Sequence, residues 1–200
     1  MIITNNIPMS HKRNTTEEEE EEENEIVVLN NEIFFYSYIE KTIILKLRTE
    51  LTKLINKHRI YSITNNVECT PIRLYINSEG GELSSALSIV DLIERSEVPI
   101  HTIIEGEAAS AATLISVVGH KRFITKNSHM LIHQVRGGMW GKMQEFEEEI
   151  LNMKMYSDKL IQIYKKTTHL SEEKLTKILK KDILWDSKKC LKYGLVDAII

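Results

Sequence analysis

The chain has 200 residues, of which 42% are hydrophobic, and its formal net charge at pH 7 is −3. This length predicts a single domain with a short tail and a core of substantial size. No apolar run reaches the roughly 18 residues of a membrane-spanning helix, and no stripe of Lys and Arg with interleaved aromatic residues favours binding to nucleic acid.

The first residues, from Met1 to Arg13, contain no continuous apolar segment of the kind found in secretory signals, so we expect no such signal. The two cysteines, Cys69 and Cys190, form neither a metal-binding nor a disulfide pattern. Both features favour a reducing, cytoplasmic location.

Seven consecutive glutamates occupy 17–23, and Glu25 follows them. A block of like charges repels itself and buries no apolar surface. We therefore expect residues 1–25 to form a flexible acidic N-terminal arm and residues 26–200 to form the folded domain. The arm is either a docking or gating tail or a solvated extension, and such runs are more often the latter.

The first half of the folded region predicts strands that alternate with helices. Apolar spacing predicts strands at 33–38, 72–76 and 100–104, and helices from Ile39 to about His58 and across 86–93. The second strand leads into Gly80-Gly81. The third leads into the stretch 105–119, which begins with small residues and which we expect to form a loop and then a helix.

The second half continues the alternation. Strands are predicted at 122–124 and 130–132, and a glycine turn at 137–141 precedes a long helix. Ser171 is suited to cap a further helix that ends near Lys181. The pattern predicts an α/β fold. The apolar stripe of the long helix consists of Met143, Phe146, Ile150, Met153, Leu160, Ile161 and Tyr164.

Two of the strand–helix units have glycine or small residues where the helix begins. Backbone N–H groups at a helix start are unpaired, and the helix dipole there favours negative charge. Gly80-Gly81 and Ser110-Ala111 are therefore candidates to direct two N–H donors at one developing oxyanion. Ser110 lies at the same helix start, where its hydroxyl would face that site.

A serine nucleophile needs a general base, and the base needs an orienting partner. His133 lies at the end of a predicted strand, where catalytic groups collect in an α/β sheet, although a structural histidine is the more common case. For the acid, Asp182 and Asp186 both remain candidates, with Asp186 the better helix cap before Ser187. The other histidines are His11, His58, His101, His120, His129 and His169.

Three stretches, in this order, resemble ClpP, the proteolytic subunit of the Clp protease. They are LYINSEGGELSSALSIVDLI, GEAASAATLISVVGHKRFITKNSHMLIHQ and DILWDSKKCLKYGLVDAI. The resemblance runs from about Ile33 to the C-terminus and implies that residues 26–200 form a ClpP-like serine peptidase domain. It implies a ClpP/crotonase-like α/β fold of ββα-type units with a protruding handle helix. The chain is also similar to divergent ClpP-like proteins of viruses and phages, for which the location would be the host cytoplasm.

The resemblance also implies roles for individual residues. The nucleophile falls on Ser110 and the base on His133. The acid falls on Asp182, eleven residues before Tyr193 of the YGLVD motif, so the resemblance selects it over Asp186. The implied oxyanion donors are the backbone N–H groups of Gly81 and Ala111.

A substrate strand is expected to pair with the backbone on both sides of these groups. The residues expected to contact it are Glu82, Leu83, Val135, Arg136, Gly137 and Gly138.

The chain departs from the family pattern at three positions. Glu79 stands where the family usually has Pro before Gly-Gly, and Val135 stands where it usually has Pro after Ile-His-Gln. Ala112 stands where Gly is usual. These departures affect the loops and the local packing rather than the reactive groups.

The family resemblance further implies a serine endopeptidase that cleaves unfolded polypeptides inside stacked rings, with heptamers paired into a tetradecamer. The chain lacks a Gly-x-x-x-x-Gly-Lys phosphate loop, so a separate AAA+ unfoldase would use the ATP. We expect no cofactor and no metal in this chain.

Two alternatives come from other functional classes. One is a catalytically silent ClpP-like ring or scaffold subunit. The other is a crotonase-type acyl-CoA enzyme, which shares the fold and the two-amide oxyanion device but needs no Ser/His/Asp set.

Overall fold

A computed structural model describes residues 26–138 and 140–200. The acidic arm predicted at 1–25 lies outside these residues. Within them, no helix combines the length and the apolar character that crossing a lipid bilayer requires.

A mixed sheet of eight strands forms the centre of the described part of the chain. Its main path runs β1-β2-β3-β4-β5-β8, while β6 pairs with β4 and β7 pairs with β6. The pairs β1/β2 and β6/β7 are antiparallel, and the others are parallel. The strands are β1 (Ile26–Leu29), β2 (Glu32–Phe35), β3 (Ile72–Ser78), β4 (Ile100–Ala109), β5 (Lys121–Ile124), β6 (His129–Leu131), β7 (Trp185–Asp186) and β8 (Ala198–Ile199).

Helices connect most of the parallel strands and cover the sheet, which confirms the predicted α/β fold. The core is one cluster of buried aliphatic side chains from the strands and from the inner faces of the helices, such as Leu47 and Leu51 of α1. The helices are α1 (Lys41–Asn65), α2 (Leu83–Glu94), α3 (Ala111–Val117), α4 (Met143–Thr167), α5 (Glu172–Leu179) and α6 (Ser187–Lys192).

Strand β4 is longer than predicted, and the prediction of a loop at 105–109 is wrong. The strand continues to Ala109 because its second half gains a new partner, β6, in place of β5. The change occurs at a bulge, where Ile76 pairs with Ile104 but Ser78 pairs with Ala108. Gly106 lies in this bulge with φ 93°, a conformation that side chains other than hydrogen disfavour. The bulge carries the strand to the edge at which Ser110 begins the next helix.

Helix α1 also extends beyond its predicted end near His58 and reaches Asn65. The apolar periodicity stops early because the last turns leave the core, and Ile60, Tyr61 and Ile63 are exposed there. Asn66, in the left-handed conformation with φ 51°, ends the helix. The strand predicted at 33–38 is shorter than expected, since β2 ends at Phe35.

Two predicted helix caps are confirmed. The Ser171 hydroxyl accepts a hydrogen bond from the Lys174 amide at 3.3 Å, at the start of α5. The Asp186 carboxylate accepts one from the Lys189 amide at 2.8 Å, at the start of α6. Because Asp186 serves as this cap, it is occupied away from the Ser110 region.

The long helix α4 protrudes from the body, as the handle helix was expected to do. Only Leu160 and Tyr164 of its side chains are buried, both in its C-terminal half. Helix α4 therefore has a rooted end, the C-terminal half that contains Leu160 and Tyr164, and a free end, the exposed N-terminal part from 143 to 155. The exposed apolar residues of the free end are Met143, Phe146, Ile150, Leu151 and Met155.

Candidate active site

A cleft of about 520 Å³ lies at the carboxyl ends of β3, β4 and β6. The edge formed by the carboxyl ends of parallel strands is where α/β sheets commonly bind ligands. Three successive strand ends thus converge on one cavity. Its lining residues are Tyr38, Ile39, Glu40, Glu79, Gly81, Glu82, Leu83, Ser110, Ala111, His133, Gln134, Val135, Arg136 and Leu160.

The close approach of two backbone segments explains the small residues around Ser110. A Cβ atom added to Gly80 would lie 2.6 Å from the Ala109 carbonyl oxygen and 2.8 Å from the Ser110 Cβ. A Cβ added to Gly81 would lie 2.2 Å from the Ile39 carbonyl oxygen. Only glycine fits in the narrow space between Ile39 and the start of α3.

Ser110 has a strained backbone at the junction of β4 and α3. Its φ of 53° and ψ of −124° are rare for a residue that carries a Cβ atom. Three contacts hold it there: its amide donates to the Leu131 carbonyl at 2.9 Å, and its carbonyl accepts from the Thr113 amide at 3.1 Å and the Thr113 hydroxyl at 2.5 Å. Strain that the surroundings maintain is typical of functional sites.

The support beneath Ser110 reaches into helix α4. The Thr113 hydroxyl also pairs with the hydroxyl of Tyr164, whose side chain is fully buried. Burial raises the pKa of the Tyr164 hydroxyl well above its usual range, so this group stays protonated and serves as a hydrogen-bonding partner. The root of α4 therefore fixes the turn that presents Ser110.

Two backbone amides border the cleft beside Ser110. The Gly80 carbonyl and the Glu82 amide both bond to the backbone of Ile39, at 2.7 and 2.8 Å. Because N–H groups alternate along an extended strand, the Gly81 amide faces away from Ile39. Ala111 is the first residue of α3, where an amide has no acceptor within the helix. Both predicted oxyanion donors thus belong to residues that line the cleft.

His133 follows β6 by two residues and is half-buried in the cleft wall. Its Nδ1 atom is buried and has no hydrogen-bond partner among residues 26–138 and 140–200. Burial is the main cause that lowers the pKa of His133, and the nearby Arg136 charge lowers it further. Asp182 acts in the opposite direction on this pKa but does not outweigh them. The imidazole is therefore neutral at pH 7, the form that accepts a proton.

Asp182 lies near enough to His133 for its charge to act on the imidazole. Strand β7 pairs antiparallel with β6, with His129 opposite Asp186 and Met130 opposite Trp185. The ladder ends there, and beyond it the Gln134 amide donates to the Leu179 carbonyl at 2.8 Å. The Asp182 carboxylate, however, forms an ion pair with Nη2 of Arg136.

The six other predicted contact residues divide into two groups. Glu82, Leu83, Val135 and Arg136 line the cleft with Ser110 and His133, whereas Gly137 and Gly138 are not among its lining residues. The catalytic and binding roles assigned to all these residues stay predictions.

Sequence reasoning missed several wall residues. Tyr38, Glu40 and Leu160 line the cleft although none belongs to a motif around Ser110. The sequence did indicate that Leu160 is buried, since it belongs to the apolar stripe of the long helix, but not that it lines the cleft. Glu79 was noted only as a departure from the family pattern, and it also lines the cleft.

We expect Ser110→Gly to exceed Ser110→Ala in free energy of unfolding by about 1 kcal/mol, because glycine relieves the strain at φ 53° that alanine retains. Denaturant unfolding of the two variants measures the difference. A glycine variant less stable than the alanine variant would contradict the strained backbone.

We expect the His133 imidazole to titrate below pH 6.5, as followed by the NMR signals of its ring protons. Arg136→Gln should raise this pKa, since it removes a repelling positive charge, and Asp182→Asn should lower it, since it removes an attracting negative one. Arg59→Gln, which removes a distant pair with Glu97, is the control and should change nothing. Titration of His133 above pH 6.5 in the unmodified chain would refute the dominant effect of burial.

Comparison with known proteins identifies the family to which the chain is related. The model of the Clp protease family matches residues 22–200. The ATP-dependent Clp protease proteolytic subunit of Deinococcus radiodurans is 34% identical over 131 residues, which are 64% of this chain and 64% of that protein. The ATP-dependent Clp protease proteolytic subunit 1 of Rhodopirellula baltica is 35% identical over 131 residues, 64% of this chain and 58% of that protein. The match thus spans about three fifths of the length of these curated relatives. The chain belongs to the Clp protease family.

Proposed function

We propose that this chain is a serine endopeptidase that hydrolyses peptide bonds in unfolded polypeptides, with Ser110 as its nucleophile. One observation carries the proposal. Ser110, with its strained backbone at a helix start, lines the same cleft as the neutral His133 and as Gly81 and Ala111, whose backbone amides are the proposed donors. Family membership and relatives named as Clp protease proteolytic subunits support the same activity.

The proposed reaction is acyl transfer in two stages. His133 takes the proton of the Ser110 hydroxyl as its oxygen attacks the peptide carbonyl carbon, and then gives a proton to the leaving amine. Water, deprotonated by His133, hydrolyses the acyl-enzyme and frees Ser110. The Gly81 and Ala111 amides stabilise the oxyanion formed in each stage, each contributing on the order of 3 kcal/mol.

Asp182 is the proposed partner of the His133 Nδ1–H. Support for this role comes from the position of Asp182, which lies near enough to His133 for its charge to favour the protonated imidazole. A carboxylate there would hold the tautomer in which Nε2 is free to accept the serine proton, and would stabilise the imidazolium that forms.

The substrate is proposed to bind as an extended strand between Glu82–Leu83 and Val135–Arg136. Main-chain hydrogen bonds from both sides would hold it with little dependence on side chains. This mode suits a peptidase that accepts many unfolded sequences. Gly137 and Gly138, which follow Arg136, would extend the same contact.

Assembly into stacked rings, heptamers paired into a tetradecamer, is part of the proposal, as is delivery of substrates by a separate AAA+ unfoldase that consumes ATP. The exposed apolar residues of the free end of α4 support self-assembly, since a face of this kind is stable in water when another copy covers it. The chain itself is proposed to need no cofactor and to act in the cytoplasm.

We expect Ser110→Ala to reduce peptide cleavage by at least about a thousandfold while assembly is retained, because the nucleophile is lost but the surrounding backbone is not. Cleavage of an unstructured fluorogenic peptide and labelling by a fluorophosphonate probe measure the effect. Ser116→Ala, at a buried serine outside the cleft lining, is the control for labelling. Full cleavage by Ser110→Ala would refute the assignment. An assembled wild-type chain that the probe never labels would favour a silent scaffold, and turnover of an acyl-CoA thioester would favour a crotonase-type enzyme.

We expect Ile150→Asp to shift the native mass from the ring assembly to smaller species, because it sets a charge in the exposed apolar face of α4. Asn152→Asp adds the same charge at an exposed polar position of the helix and should leave the mass unchanged. Native mass spectrometry measures both. An intact assembly in Ile150→Asp would show that this face is not the contact.

A further inference from the structure

Asp182 has two potential partners in the same small region. The charge of Asp182 acts on His133, yet the carboxylate is paired with Nη2 of Arg136. Arg136 lies three residues after His133, in the same wall of the cleft. One carboxylate thus lies near both an imidazole and a guanidinium.

Of the two potential partners of Asp182, His133 is the one with a role in the proposed reaction. Nδ1 of His133 is buried and has no hydrogen-bond partner among the described residues. Leaving a buried polar atom unpaired is unfavourable, so a carboxylate that reached this atom would satisfy it. While Asp182 is paired with Arg136, Nδ1 of His133 is therefore left without this carboxylate as a partner.

The pair with Arg136 is also easy to exchange. The side chains of Arg136 and Asp182 are 64% and 53% exposed, so water screens their attraction. Solvent-exposed ion pairs contribute little to stability, so giving up the Arg136 contact costs Asp182 little free energy. The pair with Arg136 is therefore open to exchange for another partner.

We propose that Arg136 is a positioning residue that draws Asp182 away from His133 when the cleft is empty, so that only part of the molecules hold an assembled Ser110–His133–Asp182 set. This inference rests on the proposed function, because it assumes that Asp182 serves His133. Arg136 acts through Asp182 and not on the reacting atoms.

A double-mutant cycle in the full 200-residue chain tests the proposal, with the rate of fluorophosphonate labelling of Ser110 as the readout. Labelling is measured at about pH 8, where the imidazole is neutral, so that changes in its protonation do not enter. Arg136→Gln should raise the rate roughly two- to fivefold, the shift in population that loss of one exposed ion pair allows. In the Asp182→Asn background the same change should have no effect, since there is no carboxylate to release.

Two variants serve as controls. Arg136→Lys keeps a positive charge at the position and should label more slowly than Arg136→Gln. Arg59→Gln removes an exposed arginine paired with Glu97, outside the cleft, and should label like the unmodified chain. Because the Arg136 side chain is largely exposed, its replacement should not disturb folding, and circular dichroism of the variant checks this.

Three outcomes would overturn the inference. Labelling that Arg136→Gln leaves unchanged or slows would show that Arg136 does not withhold Asp182. An equal gain in the presence and absence of the Asp182 carboxylate would show that Arg136 acts directly on His133. Neither of these results affects the proposed function. A complete lack of labelling in every variant would instead overturn the proposed function, and this inference with it.

Discussion

The contact between the Gly80-Gly81 turn and the start of α3 is the constraint on which the site depends. The Gly80 backbone meets Ala109 and Ser110 on one side, and the Gly81 backbone meets Ile39 on the other. No side chain fits in either gap, so the glycines are required by space as well as by their positive φ angles. The same close approach sets two amides and one hydroxyl along the wall of a single cleft, which a wider spacing would separate.

Much of this arrangement was visible in the sequence. Gly80-Gly81 after one strand and a small-residue helix start after another made these segments candidates to direct two N–H donors at one point. The alternation of strands and helices predicted the α/β fold. The extension of β4 was not visible, because its second half depends on a partner strand and on a bulge at Gly106. The local residues Glu105 to Ala109 resemble a loop, and only the pairing with β6 makes them a strand.

The two candidates for the acid show what a local sequence pattern is unable to predict. Asp182 and Asp186 are both polar residues beside apolar ones, and chain spacing alone did not separate them. Their surroundings in the structure differ, since Asp186 caps α6 and pairs in register with His129, whereas the charge of Asp182 acts on His133. The contact of Arg136 with Asp182 was invisible for a similar reason, because it joins residues 46 positions apart in an exposed segment without periodicity.

Two unfavourable features lie together in the cleft. Ser110 has a strained backbone, His133 has an unpaired buried nitrogen, and both lie in the same cleft. Such features persist only where the surroundings fix them. Here the Thr113 hydroxyl donates to the Ser110 carbonyl and is itself paired with the hydroxyl of the buried Tyr164. Tyr164 belongs to the rooted half of α4, whose other half projects from the body. One helix therefore supports the strained turn at its base and offers an apolar face at its tip, so the geometry of the cleft and the proposed contact with another copy depend on the same element.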